Sequence, residues 1–127
     1  MRIATVLLLC LGISRLAAAD LYLVTTTEGP GFAGPDEAAA VLEKGILPMF
    51  DQLLAMQADK RIVAGGLPVG SRTLYLIVEA DSNAEVDRML RDLGAWGVFS
   101  WTVTPLQTLQ GRAQMERDIV KKLKSGM

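Results

Sequence analysis

Histidine is absent from all 127 residues, and cysteine occurs once. The first absence removes the commonest general base, the commonest metal ligand, and any Ser–His or Cys–His nucleophile pair. The second excludes an intrachain disulfide framework. Positive charge is not in excess either: 13 Lys and Arg stand against 14 Asp and Glu. With a pI near 5.4, no basic patch offers itself to nucleic acid. Charged residues reach only 21% while hydrophobic ones make up 50%, which excludes a charged disordered tail. The length allows one compact domain and little more.

Residues 1–19 read as an export signal. Arg2 precedes an apolar run from Ile3 to Ile13, and Ala17 and Ala19 stand in an A-x-A arrangement before Asp20, the layout of a secretory signal peptide cleaved after Ala19. The apolar run is about half the roughly 20 residues that a spanning helix needs, so no stable membrane span is expected after cleavage. The expected location is periplasmic or secreted. The remaining chain, Asp20–Met127, carries 11 Lys and Arg, 14 Asp and Glu, and neither Cys nor His. Thiolate catalysis is then excluded along with histidine chemistry, and a thiol-free domain suits an oxidising compartment.

Leu21–Thr27 is rich in β-formers and predicts a first strand. A Gly/Pro-punctuated loop, Glu28–Pro35, follows. Asp36 is the expected N-cap of a helix over Ala38–Ala58, with a kink or break at Pro48 because proline lacks the helical N–H. Arg61–Leu67 reads as a second strand with Gly65 and Gly66 at a bulge or close approach. Arg72–Ala80 reads as a third strand. Ser82 and Glu85 have capping-box spacing ahead of an amphipathic helix, Glu85–Leu93, stopped by Gly94. Val98–Thr104 reads as a fourth strand ended by Pro105. Thr108–Lys124 reads as a polar, solvated tail helix. The expected organisation is a signal peptide at 1–19, a domain at 20–107 and a helical tail at 108–127.

The order β-α-β-β-α-β is the ferredoxin-like arrangement of the α+β class, one antiparallel sheet with both helices on one face. Leu74, Leu76 and Val78 are expected on the covered face of the third strand. Tyr22, Val24, Tyr75 and Ile77 are expected on the other, together with hydroxyl side chains. That second face is too apolar to be left wet, so a homodimer formed sheet to sheet is expected. The alternative is a monomer whose C-terminal helix folds back over it.

Six residues are candidates for a site. Asp51, beside Phe50 and Leu54, reads either as a desolvated general base or as a solvated helix-face carboxylate. Glu79 shares a strand face with Tyr75 and reads as a second catalytic acid or as an acid at the strand's exposed end. Arg72 could hold a carboxylate bidentately or lie at a strand edge. Trp96 could line a pocket mouth, and Tyr22 and Tyr75 could offer hydroxyls inside a barrel. There is no GxGxxG and no phosphate loop. Only carboxylate oxygens remain as metal ligands, without EF-hand spacing. No cofactor and no metal are expected.

The segment Leu53–Leu106 contains a helix ending in Gln57-Ala58-Asp59-Lys60, a Gly-containing strand, Asp81-Ser82 at a helix start, Leu93-Gly94-Ala95-Trp96, and Val103-Thr104-Pro105-Leu106. In these landmarks it resembles the muconolactone delta-isomerase-like family of dimeric α+β-barrel proteins. The resemblance implies the barrel and the homodimer. The family's named enzyme shifts a proton within a lactone, work that would fall in this chain to carboxylates, hydroxyls, amines or water. The expected function is an exported binder of a small apolar or aromatic ligand. Two alternatives stand beside it: a His-free isomerase or lyase using Asp51 or Glu79 with Arg72 as anion holder, and a non-enzymatic periplasmic interaction protein.

Overall fold

The computed structural model describes residues 19–94 and 96–126. The signal-peptide reading of residues 1–19 falls, apart from Ala19, outside the described residues, as does Ala95. The fold is α+β. Four antiparallel strands, β1 (Asp20–Thr26), β2 (Ile62–Gly66), β3 (Tyr75–Ala80) and β4 (Trp101–Leu106), form one sheet in the order β2-β3-β1-β4. Helices α2 (Leu47–Ala58) and α3 (Asn83–Arg91) cover one face. Their Met49, Leu53, Met56, Val86, Met89 and Leu90 meet Tyr22, Val24, Leu76 and Val78 in one buried cluster.

Register corrects the expected faces. Antiparallel partners directly opposite each other project to the same side. Tyr22 pairs with Val78 and Val24 with Leu76, so both β1 residues join the helix-covered side. They are 2% and 0% exposed. The open side instead carries Leu21, Leu23 and Thr25 opposite Glu79, Ile77 and Tyr75, with Thr102, Thr104 and Leu106 of β4 alongside.

The long helical stretch breaks one turn earlier than expected. Helix α1 (Pro35–Val41) runs into a π-helical turn, Leu42–Ile46, and α2 begins before Pro48. Proline can donate to no preceding carbonyl, and the wide turn takes up the interrupted ladder so that Pro48 falls in the first turn of a new helix. Gly34, not Asp36, is the N-cap. Pro35 takes the first helical position, and the Ala33 N–H donates to the Glu37 carboxylate at 2.7 Å. Ser82 caps α3 as its spacing predicts, accepting from the Glu85 N–H at 3.2 Å, while Glu85 Oε2 accepts from the Asp81 N–H at 2.8 Å.

Three strands start later than expected, β2 by one residue, at Ile62. β3 begins at Tyr75, not Arg72, because the Leu74 N–H is taken by the Thr26 hydroxyl at 2.9 Å. β4 begins at Trp101, after a 3₁₀ turn at Trp96–Val98. It continues through Pro105, which was expected to end it. β4 is an edge strand, where a residue without an N–H is tolerated. Helix α4 (Leu109–Ser125), capped by the Thr108 hydroxyl, is exposed at every residue and does not fold back over the sheet.

Candidate functional site

The helix layer does not close over one end of the core. There the Gly/Pro-rich loop after β1, the π-helical turn, the first turn of α2 and the loop before β3 surround a pocket of about 150 Å³. Its walls are almost entirely carbon. Phe32 and Pro30 come from the loop, Leu42 and Ile46 from the π-helical turn, Met49 and Phe50 from α2, and Leu67, Leu74 and Phe99 close the remaining sides. Each wall has a local cause. Gly29 brings the loop close: a Cβ there would lie 3.0 Å from the Phe99 ring. The π-helical turn rotates Leu42 and Ile46 away from an ordinary α-helical stripe, and such turns recur at functional sites. Phe99 is held by an edge-to-face contact with Trp101 at 5.7 Å, and the Trp101 indole N–H donates to the Trp96 carbonyl at 2.9 Å.

Among the described residues the polar side chains of the lining are Ser71, Arg72 and Thr73, and that of Arg72 is 54% exposed, at the solvent edge. Arg72 Nε donates to the Gly29 carbonyl at 3.1 Å, and the Gly29 N–H donates back to the Arg72 carbonyl at 3.0 Å. This two-way clamp ties the loop after β1 to the loop before β3. The Ser71 and Thr73 hydroxyls lie 2.8 Å apart on either side of Arg72. Among the described residues no carboxylate lines the pocket.

Of the six candidate residues, Arg72 alone lines this pocket. Asp51 follows the pocket-lining Phe50 in α2 but is itself exposed. Glu79 is exposed on the open sheet face, in a shallow depression with Gln57, Lys60, Ile62 and Val63. Tyr75 is 47% exposed on that same face. Trp96 lies in the 3₁₀ turn with the Arg91 guanidinium 4.7 Å from its ring centroid. The structure therefore does not bring Asp51, Glu79 and Arg72 into one site. Among the described residues no three Cys, Asp or Glu side chains are grouped to hold a metal ion, and no helix is long and apolar enough to cross a membrane.

Tyr22 is buried between the sheet and α3, and its hydroxyl donates to Asn83 Oδ1 at 3.0 Å. Burial pushes the phenol above its ordinary 10.0, and the negative charges of Asp20 and Glu85 push in the same direction. The fold therefore holds the proton more tightly than the unfolded chain does. The stability it confers is complete below pH 10.0 and is lost as pH rises beyond that value. Urea denaturation across this range is expected to show the loss in the wild type and a smaller one in Tyr22→Phe.

Sequence reasoning missed Phe32, Leu42, Ile46 and Leu67. Phe32, Leu42 and Leu67 are 37%, 41% and 46% exposed. One signal was present: Phe32 stands as a lone large apolar residue in a loop of glycines and prolines. The π-helical turn had no signal of its own. No family model matches the chain, and no curated protein matches it.

Proposed function

We propose that this chain is an exported binding protein for a small apolar or aromatic molecule, held in the pocket between the π-helical turn and the loops that flank Arg72. The observation that carries this reading is the pocket's near-complete carbon lining at about 150 Å³. A carbon-lined space of about 150 Å³ is of the size that takes up benzene. The rim is the part that meets solvent, so a ligand can enter without the core opening. Among the described residues the chamber's lining holds no carboxylate, which favours binding over the isomerase or lyase alternative.

The proposed unit is a ferredoxin-like homodimer related to the muconolactone isomerase-like barrels. The strand order and the helices on one face support that reading. Leu21, Leu23, Ile77 and Tyr75 form an apolar strip on the open sheet face, which a second copy would cover. α4 offers Met115, Ile119, Val120 and Leu123, all exposed, and carries five Lys or Arg against two acids. The remainder of the chain from Asp20 to Thr108 has twelve acids against six Lys or Arg. That opposition of charge suits contact between α4 and a second copy.

Calorimetric titration with benzene tests the pocket. Saturable one-site binding is expected in the wild type, weakened about tenfold or more in Leu42→Trp, whose indole would occupy the chamber. Equal binding by both proteins would overturn the assignment of the site. Sedimentation of the same samples is expected to show a dimer for the wild type and a monomer for Ile77→Glu.

A further inference from the structure

We infer that the ligand of this pocket is a small aromatic monocarboxylate, its ring in the carbon-lined chamber and its carboxylate on the Arg72 guanidinium at the rim. The inference rests on the binding reading above and narrows it to a chemical class. The chain has three phenylalanines, and all three, Phe32, Phe50 and Phe99, line this pocket. Three aromatic side chains from separate parts of the chain suit a flat aromatic guest. The volume of about 150 Å³ suits one ring.

Charge supplies the other half of the argument. Among the described residues Arg72 is the one charged member of the lining, in a chain whose acids outnumber its bases. Its Nε is committed to the Gly29 carbonyl, which fixes the plane of the guanidinium. Its Nη2 lies 3.7 Å from Glu28 Oε1, longer than a hydrogen bond. Among the described residues its terminal nitrogens make no hydrogen bond, which leaves their N–H groups for a bidentate carboxylate. Ser71 and Thr73 add a donor. Their two hydroxyls share one hydrogen bond at 2.8 Å, so one of their two protons is left for an acceptor at the rim. Glu28 is the natural competitor: its charge lowers the affinity of the rim for an anion.

The test compares benzoate, its neutral isostere benzamide, and benzene, each titrated calorimetrically into wild type, Arg72→Gln and Glu28→Gln. Benzoate is expected to bind the wild type about tenfold or more tightly than benzamide. Arg72→Gln is expected to weaken benzoate about ten- to hundredfold, the range of a charge-assisted hydrogen bond. Glu28→Gln, an exposed change, is expected to tighten benzoate about two- to fivefold. Benzene should bind wild type and Glu28→Gln alike, and Arg72→Gln, which also loses the bond to the Gly29 carbonyl, should weaken benzene far less than benzoate. A merely structural Arg72 clamp would move benzene and benzoate together. Benzoate and benzamide binding equally, or benzoate indifferent to Arg72→Gln, would overturn the anionic class while leaving the apolar pocket standing. Should Arg72→Gln not fold, Glu28→Gln decides, and unchanged benzoate affinity there overturns the inference. Failure of all three ligands to bind the wild type would remove the pocket reading, and this inference with it.

Discussion

Gly65→Ala is expected to destabilise the fold by about 2–5 kcal/mol, combining a strained backbone conformation with overpacking. Gly65 has φ +148°, and a Cβ built on it would lie 2.4 Å from the Tyr75 carbonyl oxygen and 2.9 Å from Leu76 Cα. Both neighbours are backbone of β3, so no side chain can swing aside. β2 is irregular between Ile62 and Ala64, and Gly65 lies opposite Leu76 as the strand returns to register. Relief would require β2 to separate from β3 at its end. The adjacent Gly66 is the control: a Cβ there meets nothing within 4 Å, so Gly66→Ala should lie within about 0.5 kcal/mol of wild type. Urea denaturation of both variants checks the pair. Equal stabilities would mean that β3 does not approach Gly65 as closely as described.

Leu90→Ala should cost about 2–5 kcal/mol, the range for a buried leucine whose cavity cannot collapse. Leu90 is 3% exposed in the core cluster, on a helix joined to the sheet mainly by its apolar stripe of Val86, Met89 and Leu90. Alanine keeps the helix, so the loss is one of contact rather than of propensity. In a domain of about 100 residues this corresponds to a fall in Tm of roughly 10 °C or more. Leu90 does not line the Arg72 pocket. At temperatures where the variant remains folded, ligand affinity should therefore be unchanged. Thermal melts followed by circular dichroism, with benzene titration at low temperature, separate the two readouts.

Most secondary structure was legible because it rests on short-range chemistry. The Ser82–Glu85 capping box, the alternation in Leu74–Ala80 and the punctuation around Gly29–Pro35 all concern residues a few positions apart. Errors fell where distant residues decide. Leu21–Thr27 alternates in either phase, and only the pairing of Tyr22 with Val78 shows which phase faces the helices. Pro105 predicts a strand end because sequence does not reveal that β4 is an edge strand.

The candidate site divides in the same way. Arg72 was legible as a possible anion holder because its chemistry belongs to the residue itself. That it meets Phe32, Phe50 and Phe99 was not, since those four residues come from separate parts of the chain. Asp51 and Glu79 carry equally local chemistry, and both lie outside this pocket's lining. By itself the sequence determined what chemistry the protein must do without: with no histidine anywhere and its one cysteine at position 10, imidazole chemistry is excluded throughout and a thiolate from Asp20 onward. Only the tertiary structure decided which Gly is confined, which strand face is buried and which polar residue borders an apolar chamber. Those outcomes depend on register and on loops meeting across the core, contacts between residues far apart in the chain that no local pattern specifies.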